Sequence, residues 1–176
     1  NDLAGSETDV IYRIEDLNGD GTIQTDEVTN IISDDMNFGA PVDISSAVSV
    51  DGSLYTLTWF PDGDELLKIY RLNDLDGSGQ IDQVFEATEV WNANMMPDGV
   101  PAEIGFSLAT DDAGGLVLTA NSFGGDGNVV KLTNLNGDGD FFDANETVIF
   151  GSDQYDGQLI RPRAVETYES SVQIVA

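Results

Sequence analysis

Three acidic, glycine-rich segments recur along this chain at nearly constant spacing, and this repeat limits the possible folds more than any other feature. Each segment follows a short strand-like run and begins with an oxygen-bearing side chain, at Asp16, Asp74 and Asn134, which are 58 and 60 positions apart. Chance alignment at such regular spacing is implausible. The chain is therefore a repeat protein, in which each repeat is one supersecondary unit that packs against its neighbours.

Each repeat contains four segments with the alternating or continuous apolar pattern typical of short β-strands. The units are predicted to span residues 10–60, 66–120 and 128–176 of a single domain that covers 1–176. The predicted strands, taken unit by unit, are 11–14, 28–32, 46–50 and 54–60; 68–72, 87–91, 105–109 and 116–120; and 129–132, 147–150, 164–168 and 172–176. No segment has the pattern of an amphipathic helix longer than about two turns.

Four strands in roughly 40–60 residues, repeated, indicate the blades of a β-propeller. The predicted fold class is therefore all-β, with three four-stranded, propeller-like repeats. Three blades are too few for an ordinary ring of about 4–8. The chain is then an excerpt of a longer propeller, half of a dimeric six-bladed ring, or one subunit of a head-to-tail filament. A β-sandwich or a solenoid of hairpins is the structural alternative.

The first acidic segment has the full pattern of a twelve-residue calcium loop, with a glycine at position 6, an apolar residue at position 8 and Glu at position 12. Calcium binds six to eight hard oxygens, and alternate residues of a tight loop supply them. The candidate ligands are Asp16, Asn18, Asp20, Thr22 through its carbonyl, Gln24 through water, and Glu27.

The other two segments depart from this pattern near their ends. In the second, position 12 is Phe85, so Glu86, one residue later, is predicted to close the metal shell. In the third, Asn134 at position 1 removes one charge, for which Asp140, Asp143 and Glu146 are predicted to compensate. The second set of candidate ligands is Asp74, Asp76, Ser78, Gln80, Asp82 and Glu86, and the third is Asn134, Asn136, Asp138, Asp140, Asp143 and Glu146. Up to three Ca²⁺ ions are predicted, with affinity falling from the first loop to the third to the second because charge count tunes binding.

These Asp-x-Asn-x-Asp-Gly loops between strands resemble the calcium loops of integrin-type and bacterial extracellular β-propeller repeats. The full form at 16–27 also resembles dockerin and EF-hand loops, although its flanks are strand-like and not helical. The resemblance covers somewhat under half of the chain. It implies an extracellular scaffold that calcium stiffens, of a kind used for adhesion or surface assembly.

The charge and composition exclude several classes of function. A net charge of −27 repels nucleic acid and anionic membranes, and no apolar run is long enough for membrane insertion. The chain has no His and no Cys. It therefore lacks the common catalytic pairs of a nucleophile with a histidine base, and it lacks thiolate metal sites. We therefore expect no enzyme activity, although a fragment of a larger propeller enzyme is an alternative. Because no signal peptide precedes the calcium loops, Asn1 is interpreted as the start of a mature or excised extracellular protein.

The sequence predicts two kinds of partner, a second copy of the chain and a carbohydrate. The first and last strands, at 10–14 and 172–176, are predicted to join copies into a homo-oligomer or filament by strand addition. The aromatic residues of the strands are predicted to pack in the core. As a functional alternative, they could stack on a carbohydrate, and the chain would then be a calcium-dependent carbohydrate-binding module.

Asn145, in an Asn-Glu-Thr sequence, is a candidate glycosylation site that overlaps the third loop.

Overall fold

The computed structural model describes residues 9–33, 43–59, 67–81, 84–98, 100, 102–111, 113–124, 127–152, 162–168 and 171–175. These residues form twelve strands: β1 (Val10–Ile14), β2 (Val28–Ser33), β3 (Asp43–Val50), β4 (Ser53–Trp59), β5 (Leu67–Leu72), β6 (Ala87–Asn92), β7 (Leu108–Thr110), β8 (Leu116–Asn121), β9 (Gly127–Leu132), β10 (Thr147–Ser152), β11 (Ala164–Tyr168) and β12 (Ser171–Val175). Within these ranges the only helices are short 3₁₀ turns at Thr25–Glu27, Val84–Glu86 and Ala93–Met95. The all-β prediction is confirmed.

Each predicted strand overlaps a strand in the structure, with most boundaries within two or three residues. The largest differences are three residues: β3 begins earlier than predicted, at Asp43 and not at Ser46, and β7 begins later, at Leu108 and not at Gly105. Only β7 is shorter than predicted. The physical reason lies in Thr119, whose hydroxyl oxygen accepts the backbone N–H groups of Phe106 and Ser107 (3.1 Å each). A side chain thus replaces the strand partner there, and the ladder starts later. The predicted ends at Phe60 and Ala176 lie outside the described residues.

The strands form four antiparallel sheets, and this corrects the prediction of three four-stranded repeats. Two sheets have four strands, in the orders β3-β4-β5-β6 and β7-β8-β9-β10, and two are the hairpins β1-β2 and β11-β12. Each four-stranded sheet combines the last two strands of one sequence repeat with the first two of the next. The sequence period is therefore present, but each sheet crosses the boundary between two predicted units.

No closed barrel or closed propeller is formed by the residues that the structure describes. The sheets are arranged in series, since β3 packs beside β7, and β7 packs beside β11. The first hairpin contacts the β3-β4-β5-β6 sheet on its other side, where the Asp9 carboxylate accepts the N–H of Ile44 (2.8 Å). The series therefore runs from the hairpin β1-β2, through two full sheets, to the hairpin β11-β12.

The main core lies between the two four-stranded sheets. Its fully buried members come from both sheets and include Leu57, Leu67, Ile69, Trp91, Leu116, Leu118, Val130 and Leu132. Trp91 of β6 links the sheets directly, because its indole N–H donates to the hydroxyl of Thr147 in β10 (3.0 Å). A tight turn at Asp51 and Gly52, with φ of 49° and 83°, joins β3 to β4. Paired positive φ values suit the right-handed twist of a two-residue hairpin.

A search of the described part of the chain found no helix with the length and apolar character needed to cross a membrane.

Replacing Trp91 with Ala tests the central packing between the two sheets. We expect a loss of about 3–5 kcal/mol in the free energy of unfolding, because a fully buried indole leaves a cavity. The matched control is Phe85→Ala, at an exposed aromatic of a neighbouring turn, which should change stability by no more than about 0.5 kcal/mol. Urea unfolding followed by fluorescence measures both, and equal effects of the two variants would contradict this packing.

Candidate calcium loops

The three acidic loops occupy the same place in three sheets. They connect β1 to β2, β5 to β6, and β9 to β10, which in each case are the two strands at one edge. We name them loop 1 (16–27), loop 2 (74–86) and loop 3 (134–146). Each loop therefore begins and ends on hydrogen-bonded strands, and its termini are held at a fixed separation.

The first residue of each loop organises the turn. Asp16 accepts three backbone N–H groups, from Gly19 (2.7 Å) and Asp20 (3.2 Å) at one oxygen and from Gly21 (2.8 Å) at the other. Asp74 repeats this arrangement in loop 2. In loop 3, the amide oxygen of Asn134 accepts the N–H of residue 137 (2.6 Å). The carboxylates at this position thus point into the concave side of their turns.

Two glycines per loop allow this tight path. In loop 1, Gly19 and Gly21 have φ of 71° and 77°, and the corresponding glycines of loops 2 and 3 are also left-handed. A side chain at these positions would be strained whatever space surrounds it. The glycines therefore keep the loop oxygens directed toward one centre.

The third and fifth residues point the same way. Asn18 accepts the N–H of Asp20 (2.8 Å), and Asp20 accepts the N–H of Thr22 (2.8 Å). The equivalent bonds in loop 2 are accepted by Asp76 and Ser78, and those in loop 3 by Asn136 and Asp138. Positions 1, 3 and 5 of every loop thus present their side-chain oxygens to the inside of the turn.

A buried glutamate closes each loop. Glu27 accepts the N–H groups of Leu17 (2.9 Å) and Asn18 (3.2 Å) at one oxygen and that of Gln24 (2.9 Å) at the other. Glu86 accepts the N–H of Leu75 (2.9 Å), and Glu146 that of residue 135 (2.7 Å). All three glutamates are buried although the loops around them are exposed.

The later position of the second and third glutamates is explained by the backbone. Glu27, Glu86 and Glu146 each lie directly before the returning strand, and their carbonyls accept the N–H groups of residues 15, 73 and 133. The extra residue of loops 2 and 3 is taken up within the loop before the glutamate. The structure therefore brings Glu27, Glu86 and Glu146, all of them candidate ligands from the sequence, to equivalent positions.

Loop 2 gathers three carboxylates closely enough to hold a metal ion. One oxygen each from Asp74, Asp76 and Glu86 lies within 4.8 Å of the others. Hydrogen bonds from the N–H and hydroxyl of Ser78 lower the pKa of Asp76, so its carboxylate is charged at neutral pH. Hard, charged oxygens are the ligands that calcium prefers, and this donor set fits that ion.

Loop 3 concentrates acids around Asp143. Desolvation by the surrounding loop, together with the charges of Asp138, Glu146 and Asp140, raises the pKa of Asp143. The Asn136 amide and the N–H of residue 140 lower the pKa of Asp138. Repulsion among like charges thus contributes to the raised pKa of Asp143, and a bound cation would relieve that repulsion.

The remaining predicted residues have individual roles. The Gln24 amide donates to Asp20 (3.0 Å), which ties positions 9 and 5 of loop 1 together. The Gln80 amide instead donates to the carbonyl of Asn30 on β2 (3.2 Å), so it points toward the neighbouring hairpin. Asp82 lies outside the described residues. Asn145 is exposed with φ of 72°, in a turn of loop 3.

Contacts of loops 2 and 3 with the sheet that precedes each of them were not foreseen from the sequence. The N–H of Ile81 donates to the carbonyl of Ile31 (2.8 Å), and the N–H of Phe141 donates to that of Val90 (2.9 Å). In addition, Arg71 donates to the carbonyl of Gly139 (2.9 Å). The apolar residue at loop position 8 was the available signal, because both Ile81 and Phe141 are buried.

Two aromatic contacts outside the main core lie away from the loops. Phe123 packs edge-on against Trp59 (5.7 Å between centroids), and Arg163 stacks on Phe106 (4.3 Å) beside a cavity of about 130 Å³. In the strand ladder Trp59 lies opposite Leu67, which is the residue of β5 farthest from loop 2, so Trp59 is at the other end of the sheet from that loop. The cavity is smaller than ordinary ligand pockets of about 300–1,000 Å³. No aromatic row beside a loop is present among the described residues.

Comparisons of this chain with protein-family models, with curated proteins and with solved structures gave no match. The loop geometry and the sheet arrangement therefore carry the functional argument.

Glu27 and its neighbour Asp26 provide a matched test of the closing glutamate. Glu27→Ala should lower the free energy of unfolding by about 1–3 kcal/mol, because three loop N–H groups lose their acceptor. Asp26→Ala removes the same charge from an exposed side chain of the same loop, and should cost no more than about 0.5 kcal/mol. Urea unfolding with a chelator present isolates this backbone effect from metal binding. Equal costs for the two variants would show that Glu27 does not close the loop.

Proposed function

We propose that this chain is a secreted structural or adhesive repeat protein, stiffened by calcium bound in loops 1, 2 and 3. The observation that carries the proposal is the threefold recurrence of one arrangement. In each loop, inward-facing oxygens at positions 1, 3 and 5 lie opposite a buried glutamate that follows the same turn. Hairpin turns are common without any ion, but three such turns closed by buried glutamates are a set of cation sites.

The charge of the protein supports a role for bound cations. The chain carries 33 acidic and 6 basic residues, and such an excess opposes a compact state by self-repulsion. Three Ca²⁺ ions would neutralise part of this charge at the loops where it is concentrated. Extracellular fluids supply calcium at concentrations that suit such sites, which is why we assign the protein to the cell exterior. We assign it no catalytic chemistry, because neither histidine nor cysteine is available.

Calcium titration tests this assignment. Isothermal titration calorimetry should show up to three bound ions, in affinity order loop 1, loop 3, loop 2. Asp16→Ala should remove the tightest event and Asp74→Ala the weakest, whereas Asp98→Ala, at an exposed acid outside the loops, should bind like the wild type. Calcium at about 100 times the dissociation constant should add about 2.7 kcal/mol of stability per site. Binding no calcium at millimolar concentration would contradict the proposal.

The terminal hairpins support self-association of this scaffold. Ile14, the last residue of β1, is 59% exposed, whereas the equivalent residues Leu72 and Leu132 of the full sheets are buried. Val175 of β12 is 64% exposed. Exposed apolar edges of this kind favour pairing with another strand. Pairing β12 of one copy with β1 of the next would complete a third four-stranded sheet in the order β11-β12-β1-β2.

The β3-β4-β5-β6 sheet, whose β3-β4 hairpin has a two-residue turn as the β11-β12 hairpin does by its pairing, supplies the expected register of that joint. Leu54, the second residue of β4, is paired with Leu72, the last residue of β5. The same register places Val172, the second residue of β12, opposite Ile14 of another copy. Repetition of the joint gives either a closed propeller-like ring or an open filament, according to the angle between successive copies.

Cysteine pairs test this joint, because the natural chain has no cysteine. A mixture of Ile14→Cys and Val172→Cys proteins should form disulfide-linked dimers, since directly opposed residues lie about 4.5–5.5 Å apart between Cα atoms. The control mixture of Ile14→Cys and Gln173→Cys shifts the pair by one residue onto the opposite face, and should cross-link much less. Non-reducing electrophoresis measures both mixtures, and equal yields would contradict the register.

A further inference from the structure

The two internal contacts between a loop and the preceding sheet share one design. Ile31 in β2 and Val90 in β6 are bulge residues, which the strand ladder skips. A bulge leaves a backbone group without its ladder partner. In both cases the carbonyl of the bulge residue accepts the N–H of the apolar residue at position 8 of the next loop, Ile81 or Phe141. The bulge is therefore the docking point for the following loop.

A third bulge of the same kind lies on β10. The pairing of β10 with β9 passes from Ile149 directly to Gly151 and skips Phe150. Like Ile31 and Val90, Phe150 is the fourth residue of its strand. Its side chain is 55% exposed, whereas Val90 is buried. This bulge is thus built like the other two, but no loop among the described residues docks on it.

A third docking residue is likewise exposed on loop 1. Ile23 occupies position 8 of that loop, as Ile81 and Phe141 do in loops 2 and 3. Ile81 and Phe141 are each only 4% exposed, but Ile23 is 47% exposed. Within the part of the chain that the structure describes, the docking residue Ile23 and the docking point at Phe150 are therefore both present, and neither contacts its counterpart.

We propose that loop 1 docks on the β10 bulge of a second copy of this chain, where the N–H of Ile23 donates to the carbonyl of Phe150. This inference rests on the proposed self-association and adds a second contact to it. The second copy is the fitting occupant because this chain contains both halves of an interface that it already forms twice within itself. The contact between copies then buries Ile23, just as the contacts within one chain bury Ile81 and Phe141.

The two contacts fall between the same two copies. Within the chain, loop 2 docks on β2 and loop 3 docks on β6, and each of these strands is the last strand of the preceding sheet. If β12 of one copy pairs with β1 of the next, the completed sheet follows the sheet that contains β10. Loop 1, which belongs to the completed sheet, then lies against β10 of that same neighbouring copy. One head-to-tail joint therefore satisfies both contacts without a third molecule.

Calcium control of assembly is a consequence of this arrangement. Ile23 lies between Asp20 and Gln24, whose side chains are linked, and Gln24 donates to Glu27. Calcium in loop 1 would fix the backbone on both sides of the docking residue. Removing calcium should therefore weaken the joint even where the rest of the fold persists.

Loop 1 also provides a matched control for the test. Leu17, at position 2, is 71% exposed, and its equivalents Leu75 and Leu135 are exposed in the internal loops as well. Position 2 thus takes no part in docking. Leu17→Asp and Ile23→Asp make the same kind of change in the same loop, but only the second alters the docking residue.

The experiment is sedimentation velocity of the full 176-residue chain in calcium, over a range of concentrations. Ile23→Asp and Phe150→Asp should each weaken self-association by about tenfold or more, since each removes the burial of a large apolar side chain at the joint. Leu17→Asp should associate like the wild type. Both docking sites are exposed in the monomer, and unchanged unfolding temperatures at low concentration would confirm that the variants fold.

The outcomes separate this inference from the proposed function. Association of Ile23→Asp and Phe150→Asp at wild-type strength would overturn loop docking while leaving strand pairing in place. A wild-type chain that stays monomeric in calcium at high concentration would overturn the self-association itself and the docking with it. Equal weakening by Leu17→Asp would also overturn the inference, because the effect would then reflect charge and not the docking position.

Discussion

The buried glutamate at the end of each loop is the constraint on which the rest of the structure depends. Glu27, Glu86 and Glu146 hold the second residue of their loops through its N–H group, and their own carbonyls bond to the strand before the loop. Each glutamate thus fixes the turn, the edge hairpin and one wall of the candidate calcium site together. Burying a carboxylate is costly unless its oxygens are well paired, and here backbone donors at the loop provide that pairing.

The loops also determine how neighbouring sheets meet. Because the turn is fixed, its position 8 residue is presented to the bulge of the preceding outer strand, as Phe141 is to Val90. Arg71 adds a contact from the preceding repeat to the same loop. The local geometry of a loop and the packing between repeats are therefore one system, and a cation bound in the loop would stiffen both.

Much of this arrangement was predictable from the sequence, because strand patterns and loop spacing are local signals. The twelve strands, the closing residue Glu86 and the candidate ligand Glu146 were found in this way. The partition into sheets was predicted wrongly, because the sequence period shows where a motif recurs and not which strands pair across the connection between two units. The bulges at Ile31, Val90 and Phe150 were not predicted, because an apolar strand pattern does not show where the ladder to the neighbouring strand skips a residue.

Native mass spectrometry of the full chain tests calcium-dependent assembly most directly, because it counts bound ions and associated copies in the same particle. We expect assemblies in which every copy carries calcium, up to three ions each, and a shift to calcium-free, dissociated chains after chelation. A particle spectrum that contains only single chains without calcium, under conditions where the protein is folded, would contradict this expectation.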